Sequence, residues 1–278
     1  MGGQGRPAPL SSPLSMSLKK RLIPVLLLQN GLLVRSELFT IHQIIGNPVH
    51  EVERFTEWNV DELVYLDISR EDAYDLGRDD QKVVGLGDQL TILDAVAERC
   101  FMPLTWGGRI RDLAGIRERI SRGADKVTLN TALVERPELV TEGARVYGSQ
   151  AIVASIDALR HPDGRLEAYV HGGRTPTGLA PEDLARRAEQ LGAGEILLQS
   201  IDRDGTATGY DTELIARVVD ATSIPVVACS GVGRFEDYAA GIEAGASAVA
   251  AANIWHFKEL ADRAGKRALA KAGVDVRL

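Results

Sequence analysis

The residues able to do chemistry stand at the ends of short apolar runs. "IVASIDA" delivers Asp157, "DKVTLNT" delivers Asn130 and Thr131, and "IPVVACSG" ends on Ser230 and Gly231. "MPLTWGG" ends in glycines, Gly108 last, and is followed by Arg109, "EILLQSID" leads to Asp202, Asp204 and Gly205, and "AVAAANI" holds Ala252 and Asn253. A carboxylate at the mouth of an apolar interior is a candidate general acid or base, because desolvation disfavours its charged form and raises its pKa. Capping of the following loop is the other use open to Asp157. Small and glycine-rich ends leave backbone N–H groups open to an anion. Two such sites at matching places fit a substrate with two phosphates, although tight turns also use glycine.

The starts of the runs carry a second set. Arg21, Glu62, Lys126 and Glu195 lie at or near four of them, so charges of alternating sign would ring one end of the structure. A salt-bridge plug is the plain reading of such a ring, and a gate for something small and neutral is the alternative. Asp202, Asp204 and Glu213 take places 1, 3 and 12 of a calcium-loop pattern. Place 6 is Ala207 where the sharp turn needs glycine, so a calcium site is not expected.

Eight runs separated by helical segments position these residues: "LIPVLLL", "ELVYLDI", "MPLTWGG", "DKVTLNT", "AIVASIDA", "EILLQSID", "IPVVACSG" and "AVAAANI". Eight is the number that closes a (β/α)8 barrel, in which reactive groups gather at the C-terminal ends of the strands. An open dinucleotide-binding sheet would carry a Gly-x-Gly-x-x-Gly after its first strand, and none follows Leu28. Internal similarity also favours closure: Pro103 and Pro225, like Gly123 and Gly245, are 122 residues apart, and Glu62 matches Glu195. A duplicated half-barrel explains these pairings.

Composition narrows the function classes. A net charge of −7 gives no general affinity for nucleic acid or anionic membrane. Cys100 and Cys229 are far apart, consistent with a reducing cytosol and with two small buried hydrophobes. Residues 1–17, rich in Gly, Pro and Ser, read as a disordered tail, with one barrel domain over 18–278. The loop between Ile68 and Leu93 is long and charged, suiting a lid, a partner surface or solvated decoration.

The blocks "DELVYLDI", "GADKVTLNTA", "VASIDA", "GAGEILLQSIDRDGTATGYD" and the terminal "AGVDVRL" resemble the cyclase subunit of imidazole glycerol phosphate synthase, the HisF family, from about Leu18 onward. The resemblance implies a glutaminase subunit docked on the bottom of the barrel. Ammonia would pass a charged gate and cross the barrel to a bisphosphorylated substrate. Two aspartates, ending the first and fifth strands, would act as general acid and base in forming the imidazole ring and releasing aminoimidazole carboxamide ribotide. On this chain it implies a gate of Arg21, Glu62, Lys126 and Glu195, a partner contact at Asp125 and a catalytic Asp157. One phosphate site would take Gly108, Arg109, Asn130 and Thr131, and the other Asp204, Gly205, Ser230, Gly231, Ala252 and Asn253. No cofactor and no metal are implied.

The departures are specific. Leu27 stands where the first-strand aspartate belongs, Arg109 and Ser230 replace glycines, Asn253 replaces a serine, and the loop after the second strand is longer than the family pattern. Leucine cannot exchange a proton, so the two-carboxylate mechanism cannot run in its usual form. "IPVLLLQNG" and "ERCFMPLTWGG" resemble a divergent branch of the family associated with acetamidino modification of surface-polysaccharide sugars. In that branch the barrel and its glutaminase supply ammonia to a separate amidotransferase. Three expectations follow: an ammonia-supplying barrel of that branch, a histidine-pathway cyclase with a substitute acid, and a non-catalytic activator of the glutaminase.

Overall fold

The computed structural model describes residues 19–58, 60–71, 73–76 and 87–277. The tail expected at 1–17 lies outside them, as does the middle of the charged loop between Ile68 and Leu93. Among the described residues there are twelve strands: β1 (Arg21–Gln29), β2 (Leu32–Glu37), β3 (Ile41–Gly46), β4 (Leu63–Asp67), β5 (Leu104–Gly107), β6 (Lys126–Leu129), β7 (Ile152–Arg160), β8 (Leu166–Val170), β9 (Thr175–Pro176), β10 (Glu195–Ser200), β11 (Val226–Cys229) and β12 (Ala248–Ala251). Eight of these run parallel and close on themselves in the order β1, β4, β5, β6, β7, β10, β11, β12 and back to β1. The chain is therefore a (β/α)8 barrel, with each expected run on one of its staves.

Closure explains why the runs are apolar throughout. Successive side chains of a strand point to opposite faces, and here both faces are covered. In β1, Ile23, Val25 and Leu27 fill the barrel with Val64, Leu66, Val153 and Leu197, while Leu22, Leu26 and Leu28 pack outward with Phe55, Tyr65, Trp106 and Trp255 under the helices. The same alternation carries Arg21 and Leu27 inward at opposite ends of one strand.

The duplication is visible in the backbone. Asn130, just before the helix Thr131–Glu135, has φ −106° and ψ −78°, and Ala252, just before the helix Asn253–Phe257, has φ −103° and ψ −76°. At the ends of β5 and β11, Gly108 and Arg109 take φ values of 95° and 60°, and Ser230 and Gly231 take 81° and 92°. Two consecutive left-handed residues thus recur at equivalent points of the two halves.

Two hairpins escaped the sequence reading. β2 and β3 fold back over the top of β1, and β8 and β9 do the same beyond β7. Their turns were signalled in the sequence. Asn30 and Gly31, both at positive φ, form the two-residue link from β1 to β2, and "HPDG" turns the chain between β7 and β8. Among the described residues, no helix is long and apolar enough to cross a membrane.

Candidate active site

At the C-terminal end of the barrel lies a cavity of about 680 Å³. Gly108, Arg109, Asn130, Thr131, Asp157, Asp204, Gly205, Ser230, Gly231, Ala252 and Asn253 all line it, and so does Leu27. The residues singled out in the sequence thus come together in one cavity from six staves, with Leu27 on a seventh. Asp125 is elsewhere: it is exposed before β6, and its carboxylate accepts the Leu104 N–H at 2.8 Å.

The register independently identifies Leu27 as the counterpart of Asp157. Leu27 pairs with Leu66 on β4 and Val34 on β2, whereas Asp157 pairs with Gln199 on β10 and Tyr169 on β8. Leu66 and Gln199 each stand four residues after the matched glutamates, Glu62 and Glu195. The two half-barrels thus aim one side chain each into the cavity from equivalent places. One is a carboxylate and the other is a hydrocarbon.

Asp157 is 5 % exposed, and Gln199 Nε2 donates to its Oδ1 at 2.9 Å. Burial lifts its pKa to about 7 against the opposing hydrogen bonds of Gln199 and Ser155, with the charge of Asp204 adding to the rise. A group that exchanges protons near neutrality, held at one oxygen and facing a cavity, suits general acid–base work. Gln199, Ser155 and Ser36 were missed in the sequence because their partners depend on register rather than on local spacing.

Asp204 and Asn253 secure the first hairpin over the site. Ser36 Oγ donates to Asp204 Oδ2 at 2.6 Å, and the Phe39 N–H donates to the same oxygen at 3.2 Å. Asn253 grips the Ser36 backbone at both ends, its Nδ2 donating to the carbonyl at 2.8 Å and its Oδ1 accepting the N–H at 3.3 Å. Across the cavity, Asn130 Nδ2 donates to the carbonyls of Ser155 and Tyr169, and Thr131 Oγ1 accepts the His171 N–H at 3.1 Å. The carboxylates of the calcium-loop pattern diverge: Asp202 accepts from the Arg160 N–H, Asp204 from Ser36, and Glu213 pairs with Arg160 Nη1 at 3.1 Å.

The cavity is cationic although the chain is acidic. Arg35, Arg70, Arg109, Arg111, Arg136, Arg174 and Lys258 line it, against the carboxylates of Asp67, Glu135, Asp157 and Asp204. Such a field concentrates anionic ligands. The left-handed turns at Gly108–Arg109 and Ser230–Gly231 bring backbone close to the cavity, with a Cβ at Gly108 falling 2.1 Å from the Asp67 carbonyl oxygen. Ser230 accepts the strain of φ 81° that glycine would avoid. Ser230→Gly is expected to stabilise the fold by about 1 kcal/mol, measured as a shift in the urea midpoint with an unchanged slope.

At the other end of the barrel the four charges form a closed ring. Arg21 donates to both Glu62 and Glu195, and Lys126 Nζ bonds Glu62 at 2.7 Å and Glu195 at 2.8 Å. Thr105 Oγ1 adds a bond to Glu62 at 3.1 Å. Each cation therefore bridges both carboxylates. For Glu195, burial raises the pKa, but Arg21 and Lys126 outweigh it and hold the carboxylate below its ordinary range. Above the ring, Ile23, Val25, Val64, Val153, Leu197, Ala248 and Ala250 give the barrel an apolar interior.

A closed parallel barrel with an anion-suited cavity and a buried carboxylate of raised pKa facing it has the form of a (β/α)8 enzyme site. Residues 21–261 match the histidine biosynthesis protein family, and the chain belongs to that family. Its members are barrel isomerases and cyclases.

Proposed function

We propose that this chain is the barrel subunit of a glutamine-dependent nitrogen-transfer system in the branch associated with acetamidino sugars. A glutaminase docks against the bottom ring, with exposed Asp125 at the contact. Ammonia enters past Arg21, Glu62, Lys126 and Glu195 and crosses the apolar interior as the neutral molecule. It reaches a phosphorylated or sugar substrate in the cavity, or passes on to a separate amidotransferase. The observation that carries this reading is the split within one strand: Arg21 keeps its place in the ring, while Leu27 occupies the place equivalent to Asp157.

The second reading, ring closure of the formimino-ribulosyl bisphosphate substrate in histidine biosynthesis, draws support from Asp157 and from the two duplicated turns. It lacks a proton-exchanging group at Leu27. The experiment that separates the two is complementation of a histidine auxotroph lacking the cyclase. The native chain is expected not to restore growth, and growth restored by the native chain would sink the first reading. Leu27→Asp tests how far the top face has diverged, because gain of growth with that variant would show that only the acid was lost.

A further inference from the structure

The staves differ in what they present to the barrel interior above the charged ring. Every second residue points inward, which gives Arg21, Ile23, Val25 and Leu27 on β1 and Glu62, Val64 and Leu66 on β4, with hydrocarbon alone above the charge. On β10 the series is Glu195, Leu197 and Gln199, on β7 Val153, Ser155 and Asp157, and on β6 Lys126 and Thr128. Thr128, Ser155, Asp157 and Gln199 are all buried, and all line the cavity. A small neutral molecule crossing the interior loses its hydrogen bonds on the way and meets these polar partners again on one side, around Asp157.

Gln199 ties the group together. Its Nε2 donates to Asp157 Oδ1 at 2.9 Å and to Ser155 Oγ at 3.5 Å, so both amide protons are turned toward β7. An ionised Asp157 requires this orientation, because a carboxylate has no proton to give and would repel the amide carbonyl. With Oδ1 accepting, the proton of the neutral carboxyl is carried by Oδ2. The Gln199 carbonyl oxygen accepts no hydrogen bond among the described residues, which leaves a buried acceptor in the cavity wall beside that carboxyl. The other half-barrel has neither part, since the places equivalent to Asp157 and Gln199 hold Leu27 and Leu66.

We propose that Gln199 is a positioning residue with two ends: its amide N–H groups hold Asp157, and its carbonyl accepts an N–H of ammonia leaving the barrel, seating the nitrogen against the Asp157 carboxyl. The seat rests on the reading in which neutral ammonia crosses the interior. It gives the nitrogen a stopping place, and so favours transfer to a substrate within this cavity over onward passage to a separate enzyme.

Carbon-13 NMR of the full chain labelled at aspartate carboxyls tests the seat, with the Asp157 resonance identified by its loss in Asp157→Asn. At pH 8, ammonium chloride should shift that resonance saturably in the native chain, whereas potassium chloride, whose cation matches ammonium in size but carries no N–H, should leave it in place. Gln199→Met should remove the ammonium response and raise the Asp157 midpoint, about 7 in the native chain, by about one pH unit, because a donor to the charged form is lost. Gln199→Glu should raise it further, a like charge replacing the donor. Asp204 and Cys229 also act on Asp157, but both variants leave them in place. Without any variant, the Gln199 side-chain amide resonances should titrate with the Asp157 midpoint. A native resonance indifferent to ammonium, or answering potassium equally, would overturn the seat and leave passage through the barrel standing. An ammonium response that survives in Gln199→Met, or amide resonances flat through the Asp157 titration, would overturn the part given to Gln199. Growth of the histidine auxotroph on the native chain would overturn the underlying reading whatever the ammonium result.

Discussion

Asp157→Asn is expected to make the protein more stable above neutral pH while sharply lowering its output. With a pKa of about 7, Asp157 binds its proton more tightly in the folded chain than in the unfolded one. The sign follows from linkage: the burial penalty is absent below the unfolded carboxylate pKa, grows as pH rises, and is complete above the folded value. Each unit of displacement corresponds to about 1.4 kcal/mol. Allowing for relaxation around the ionised group, the neutral amide should gain about 2–4 kcal/mol at pH 8 and almost nothing at pH 4. Asn still accepts the hydrogen bond from Gln199, so geometry is kept.

Nitrogen transfer into product should fall by about 10²-fold or more, the usual contribution of a positioned acid or base. Urea denaturation at the two pH values and product formation with glutamine as nitrogen source check the two halves. Unchanged output together with unchanged stimulation of the glutaminase would assign the top face no catalytic part, leaving the chain an activator. Stability gained where function is lost is the pattern expected of a functional group buried at the expense of its charged form.

The second large effect is at the bottom ring. Glu62 is buried and bonded to Arg21, Lys126 and Thr105. Glu62→Ala would leave two cations sharing Glu195 alone, and removal of one partner from a buried ion network costs about 3–5 kcal/mol. In a chain of this size that loss lowers the melting temperature by roughly 6–15 °C. If the ring admits ammonia, glutamine-driven and ammonium-driven product formation should also diverge: the first falls with the gate, while the second, fed from bulk solution, is spared. Equal loss of both would make the ring a plug and nothing more. Acid should weaken the native ring, because the depressed pKa of Glu195 gives stability that is complete above the ordinary glutamate value, about 4.3, and is lost as pH falls through the folded value.

Much of this was legible before any coordinates. The eight staves are continuous apolar runs because both faces are buried, and the charges at their starts and the polar residues at their ends can be read by alternation along each run. The duplication located the turns at Gly108 and Ser230 in advance. What sequence could not supply was register. Leu27 was already placed by the family resemblance, and register adds the equivalence within this chain through Leu66 and Gln199; Ser36 becomes a clamp only because Asp204 and Asn253 converge on it from positions more than 160 residues away. The hairpin bearing Ser36 is signalled by Asn30-Gly31, a two-residue turn that sends β2 back along β1. The cationic character of the cavity was hidden by the acidic total, since net charge averages over surfaces that never meet.

The most direct measurement is turnover of the purified chain on the formimino-ribulosyl bisphosphate substrate with an ammonium salt at pH 8, which removes the need for any glutaminase. With Leu27 in place of the second proton-exchanging group, no imidazole glycerol phosphate should form above the uncatalysed rate. Appreciable turnover, lost in Asp157→Asn, would contradict the proposal and return the chain to the histidine-pathway cyclases.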